Sequence, residues 1–330
     1  LRDISGELDI NWLGIGFHPF ARQEDLDWVP KARYAIMRRY LPTRGTHGLD
    51  MMRRTATVQA NFDYASEEDA MRMLRVSLRL SPLVTAIFAN SPFYEGRAFG
   101  GRSFRAKVWL SVDPSRQGLL PALMEPGTRF KTYVDWALEA PMFMIKRGRE
   151  VIENTGQSFH SFWKHGFNGH KPTVGDWETH MNTLFPEVRL KRTIEVRGAD
   201  SLPGNLACAL PAIWTGIFYD PQALDEADEM TASYGYEELE ALRPAIAQDG
   251  PRALFRGEPL TGAAERLVAI ASGGLERRGR LNRNGQDERE HLKGISAIVE
   301  KGLCPADLLL QDLASPEGDL RLQILARARM

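Results

Sequence analysis

Cysteine is scarce in this chain. Cys208 and Cys304 are the two among 330 residues, too few for a disulfide framework and suited to a reducing compartment, though compatible with a single bridge. A charge excess is missing too: 42 Lys and Arg against 43 Asp and Glu leave a formal net charge of −1. A protein that holds nucleic acid through phosphate contacts usually carries a basic surplus, so no nucleic-acid partner is expected. No apolar run approaches the roughly 18 to 20 residues of a membrane helix. The best, residues 207–219, is interrupted by Pro211, Thr215 and Gly216, so no membrane partner is expected either. The opening LRDIS shows no charged-then-apolar leader, and a cytoplasmic location is the expectation. It also lacks an initiating Met, so the chain is expected to be the later part of a longer one. Internal repeats and low-complexity tracts are absent. So are GxxxxGK(S/T), a GxGxxG after a strand, HExxH and CxxC.

What is there is an ordinary globular composition, 43% hydrophobic and 26% charged. Three segments alternate with period two, the signature of a strand with one buried face. Residues 55–64 (TATVQANFDY) set Ala56, Val58, Ala60, Phe62 and Tyr64 against Thr55, Thr57, Gln59, Asn61 and Asp63. Residues 104–113 set Phe104, Ala106, Val108, Leu110 and Val112 against Arg105, Lys107, Trp109, Ser111 and Asp113. Residues 188–197 do the same with Arg192 as the one exception. Helices lie between these segments. Ser66 with an acidic first turn opens one that Pro82 is expected to stop; Thr173 opens another. Residues 206–219 read as a buried helix, and the chain from about 222 reads as almost wholly helical. Gly250-Pro251, Gly273-Gly274 and residues 302–305 are its expected connections. The pattern predicts an α+β fold, an antiparallel sheet covered on one face by helices.

The open face of such a sheet ordinarily meets water. Here it carries fixed cations (Arg105, Lys107, Lys191, Arg197), amides and hydroxyls (Thr57, Gln59, Asn61), Trp109 and Glu195. Arg presents a planar fork to carboxylate and phosphate oxygens. Glu195 two residues before Arg197 could hold a divalent cation and a phosphate oxygen together, as MgATP requires, or form a plain ion pair. His160, His165 and His170 share no helical face and read as loop or solvent residues. Met51, Met52, Met142 and Met144 read as core. Residues 86–93 (AIFANSPF) end a helix in either a turn or a ligand-presenting loop.

Several runs resemble the plant-type glutamate–cysteine ligase family, which also occurs in bacteria. They are residues 45–63 (GTHGLDMMRRTATVQANFD), 103–105 (SFR), 185–192 (FPEVRLKR), 194–200 (IEVRGAD) and 208–214 (CALPAIW). The resemblance implies a glutamine-synthetase-like fold whose antiparallel sheet forms a substrate funnel. It divides the chain into a catalytic sheet region, 1–220, and a helical C-terminal segment of the same domain, 221–330. It also implies that ATP with Mg2+ activates the γ-carboxylate of glutamate as an acyl phosphate, which the amine of cysteine then displaces. By residue it implies Glu195 as metal-binding carboxylate and Arg197 as the steadying cation of the transferred phosphoryl group. Gln59 and Asn61 fall on the metal- and nucleotide-facing strand, with Lys191 as a further nucleotide contact. Arg105 would grip a substrate carboxylate, with Thr57 and Trp109 shaping the pocket and Arg33 and Tyr133 as further substrate candidates. Family members carry an N-terminal glutamate-bearing strand that is not found before Leu13, so weak MgATP binding by these residues alone is expected. Cys208 matches a redox-linked cysteine whose partner Cys304 is not, so redox switching is not expected. A ligase of the same fold using another amine, and a non-catalytic metabolite-binding relative, are the alternatives.

Overall fold

In the computed structural model, residues 2–8, 10–312 and 320–329 are described. The elements needed here are α1 (Ala32–Tyr40), β1 (Ala60–Phe62), α2 (Glu67–Ile87), α3 (Phe104–Trp109), α4 (Phe130–Glu139) and α5 (Val174–Met181). They continue with β2 (Val188–Leu190), β3 (Ile194–Val196), α6 (Ala209–Phe218), α7 (Pro221–Thr231), α8 (Tyr236–Asp249) and α9 (Thr261–Arg278). The chain is helix-rich with small, mostly antiparallel sheets, compatible with α+β.

The central sheet has the order β1-β3-β2, antiparallel throughout. Val188 pairs with Val196, Arg189 with Glu195 and Leu190 with Ile194; on the other side Asn61 pairs with Glu195 and Phe62 with Ile194. Residues 188–197 are thus a hairpin and not one strand. Its turn lies at 191–193, around the residue that broke the alternation, with Lys191 N–H donating to Thr193 O. Folding the segment back about residue 192 maps even positions onto even positions. The apolar set therefore keeps one face in either arrangement, and period two alone cannot tell them apart.

The first alternating segment shrinks as well. Only residues 60–62 join the sheet, while Thr55 and Thr57 make single bridges to Phe17 and Asp200. The second is a helix, α3, capped by Ser103, whose hydroxyl accepts from Ala106 N–H at 2.9 Å. Six helical residues are too few for a period to decide, and the cap is the signal that settles it.

Helix α2 starts as expected, with Ser66 accepting from Asp69 N–H, but it runs through Pro82 to Ile87. The break that Pro usually imposes is overridden because residues 76–84 are all buried in the core. The apolar face of the sheet (Phe62, Val188, Ile194, Val196) belongs to this same core, together with α2, α6 and residues of α7 to α9. Gly273-Gly274 is not a connection but lies inside α9. A Cβ on Gly274 would overlap the carbonyl of Gly216 in α6, and one on Gly216 would overlap that of Ala271. The glycines let two helix backbones touch. Gly250, at φ 58°, does end α8 as a connection.

Candidate active site

The polar face of the sheet is organised around Glu195. Its side chain is 6% exposed and accepts from Arg189 Nη2 at 2.6 Å, from Arg197 Nη1, and from Lys191 Nζ at 3.3 Å. Arg189 lies opposite on β2, Arg197 two residues further on and Lys191 at the turn, so the hairpin itself brings the three cations to one carboxylate. Burial alone would raise the pKa of Glu195; the Arg197 and Arg189 guanidiniums offset this and hold it below the ordinary value. Burial and the neighbouring Arg189 lower that of Arg197. Glu195 and Arg197 do pair, within a network carrying two more positive than negative charges. Asn61 extends the row on β1, exposed and accepting from Thr193 at 3.1 Å, with Gln59 exposed beside it.

A second layer fixes the strand that carries Arg197. Thr57 Oγ1 donates to Ala199 O at 2.6 Å, so Thr57 holds backbone. Arg105 donates to Gly198 O at 3.1 Å and Arg197 O at 2.9 Å and lies 3.6 Å from Asp200. Asp200 is 1% exposed and accepts from Asn90 N–H, Ser91 Oγ and Ser103 Oγ. Burial pushes its carboxyl upward, while Arg105 and these donors pull it back. Asn90 is likewise structural, donating to the carbonyls of Gly14 and Ser201, and no ligand-presenting loop forms there.

At the end of the hairpin a cleft opens between the sheet, α2, α3 and α8. Arg105, Trp109, Glu187, Arg197 and Arg243 line it. Arg105 and Trp109 share its wall because α3 sets them four residues apart on one helical face, not because a strand does. Lys107, placed with them by alternation, is exposed on another side of that helix. Tyr133 of α4 is 1% exposed, packed beside the backbone of Leu190. Burial raises its pKa, and its ring lies close enough to Arg189, Arg197 and Glu195 to feel their charges. Arg33 does not join the group: it is exposed on α1, where it bonds and stacks on Tyr34.

Arg189, Asp200, Glu187 and Arg243 were not singled out in the sequence. Arg189 occupies a polar position of the third alternating segment, and reading that segment as a hairpin would have found it. Asp200 closes the IEVRGAD run. Arg243 carries no local signal, because it reaches the cleft from a helix more than forty residues beyond the sheet. Met142 and Met144 are core, and Met51 and Met52 pack at its edge. His160 pairs with Glu139 on the surface. Among the described residues no group of three His, Cys, Asp or Glu is placed to hold a metal.

A cationic sheet face thus lies beside a cleft with arginine on two of its walls. The family model for glutamate-cysteine ligase family 2 matches residues 1–325, and the chain belongs to that family. It is 42% identical over 313 residues to glutamate–cysteine ligase B, chloroplastic, of Oryza sativa subsp. japonica, covering 94% of this chain and 62% of that protein. The glutamate–cysteine ligases, chloroplastic, of Medicago truncatula and Arabidopsis thaliana are each 42% identical over 314 residues. Those matches cover 94% of this chain and 61% and 59% of the two relatives. The chain thus spans about three fifths of the length of these relatives. All three are named chloroplastic, which overturns the expectation of a cytoplasmic location.

Proposed function

We propose that this chain carries the site for ATP-dependent ligation of the γ-carboxylate of glutamate to the amine of cysteine, the first step towards glutathione. The observation that carries this reading is the Arg189–Glu195–Arg197 network on the polar sheet face beside the cleft, which suits phosphoryl transfer between two anions. In this reading the fold is glutamine-synthetase-like. Residues 1–220 supply the sheet, and residues 221–330 wall the cleft through Arg243.

The γ-carboxylate oxygen attacks the γ-phosphorus of ATP, the bond to ADP breaks, and an acyl phosphate forms. The cysteine nitrogen then attacks the acyl carbon, phosphate leaves, and the nitrogen sheds a proton. Charge on the transferred phosphoryl oxygens is met by Arg197, held rigid by Glu195 through its side chain and by Arg105 and Thr57 through its backbone. A guanidinium fixed before reaction stabilises that charge without reorganising. Lys191, Gln59 and Asn61 are the proposed nucleotide contacts, Arg105, Trp109, Thr57 and Tyr133 the proposed substrate side.

The residues here do not fit a magnesium site. Both oxygens of Glu195 are engaged by cations, and Gln59, the other proposed donor, is uncharged. The test is isotopic: glutamate labelled with 18O in its γ-carboxylate should pass one 18O to each phosphate released. Unlabelled phosphate would reject the acyl-phosphate route.

A further inference from the structure

Arg197 stands just outside the sheet. Strand β3 ends at Val196, so the cation assigned to the phosphoryl group is carried by irregular backbone. Side chains take over where the ladder stops. Arg197 O accepts from Arg105 Nη2 at 2.9 Å, and Gly198 O accepts from Arg105 Nη1 and from Thr85 Oγ1 at 3.1 Å each. Ala199 O accepts from Thr57 Oγ1 at 2.6 Å. One guanidinium therefore spans two successive carbonyls. It sets both peptide planes, and with them the direction in which the Arg197 side chain leaves the chain.

That guanidinium is itself placed by a carboxylate. Asp200 lies 3.6 Å from Arg105 Nη1, and both side chains are buried. Burial lowers the pKa of Arg105, and the charge of Asp200, ahead of that of Glu187, opposes the loss. The carboxylate has no room to swing. It accepts from Asn90 N–H at 2.8 Å, Ser91 Oγ at 2.7 Å and Ser103 Oγ at 2.9 Å, and a Cβ on Gly16 would stand 2.3 Å from its Cγ. Three separate segments thus close around Asp200, and neither it nor these four residues line the cleft.

We propose that Asp200 is a positioning residue for phosphoryl transfer: its charge holds the Arg105 guanidinium across the carbonyls of Arg197 and Gly198, and so aims Arg197 at the transferred group. This rests on the ligase reading above. A buried ion pair is weak evidence for stability, and the use of this one is precision. A displacement of about 1 Å can cost on the order of a hundredfold in rate. Because Asp200 stands behind the site and not in it, the effect belongs to kcat.

Asp200→Asn keeps the shape and an acceptor for the two serines but removes the charge. Steady-state ligation is measured for this variant in the wild-type background and in Arg197→Ala. The kcat should fall roughly tenfold or more in the wild-type background, with the KM values for cysteine and ATP nearly unchanged. In Arg197→Ala the same substitution should change the residual kcat by less than about twofold, because the residue it aims is gone. Should Asp200→Asn misfold, Arg105→Lys provides the second reading. It leaves Asp200 a cation but cannot span two carbonyls, so kcat should fall and the fall should likewise vanish in Arg197→Ala. An unchanged kcat, a loss confined to KM, or the same loss in both backgrounds would overturn the positioning role and leave the ligase intact. No ATP turnover by the wild type with both amino acids would overturn the ligase reading itself.

Discussion

Arg189 and Glu195 face each other across the β2–β3 hairpin, Nη2 to Oε1 at 2.6 Å, with both side chains nearly buried. The pair turns a local fold-back of ten residues into the fixed centre of the sheet's polar face. Arg197 and Lys191 are then added to a carboxylate that is already anchored.

Removing Arg189 takes away two charge-assisted hydrogen bonds to Glu195, although Arg197 and Lys191 still face the carboxylate. Arg189→Met is expected to destabilise the fold by about 1–3 kcal/mol, read as a lower denaturation midpoint. A midpoint equal to that of the wild type would show that Lys191 and Arg197 alone satisfy Glu195.

The depressed pKa of Glu195 makes a pH prediction with a definite sign. Its stabilisation is fully present above the unfolded-state value of about 4.3 and is lost as pH falls through the lower folded value. The stability gap between the wild type and Glu195→Gln should therefore be largest at neutral pH and close in acid below about pH 4. Asp200, raised by burial, runs in the opposite direction and is unaffected by this substitution. A gap that widens in acid would contradict the assignment.

The crossing of α6 and α9 has no room for a methyl group. Gly274→Ala should destabilise by about 1–3 kcal/mol or more through overpacking. Gly262→Ala, in the same helix with nothing near its Cβ position, should be neutral or stabilise by up to about 1 kcal/mol. Thermal melts of the two variants, read side by side, check both signs. Equal effects would place the crossing elsewhere.

The site was more legible than the fold that builds it. Glu195, Arg197, Arg105 and Trp109 could be picked out because polar residues on an apolar-alternating segment are conspicuous whatever the segment becomes. The elements beneath them were harder. Residues 104–113 alternate as a strand would, yet the Ser103 cap makes the first six a helix. Residues 188–197 hide a turn that preserves parity. Pro82 and Gly273-Gly274 carry strong local signals that burial and close packing override, and neither override is visible without the partner element. Arg243 and Glu187 meet only through tertiary structure, so no spacing in the sequence could join them.

The most direct measurement is ADP release from ATP supplied with glutamate, with and without cysteine, for the wild type and for Arg197→Ala. The account predicts sustained release only when both amino acids are present, and a loss on the order of a hundredfold or more in the variant, with the KM for cysteine little changed. Release that ignores cysteine, or full turnover in Arg197→Ala, would contradict it.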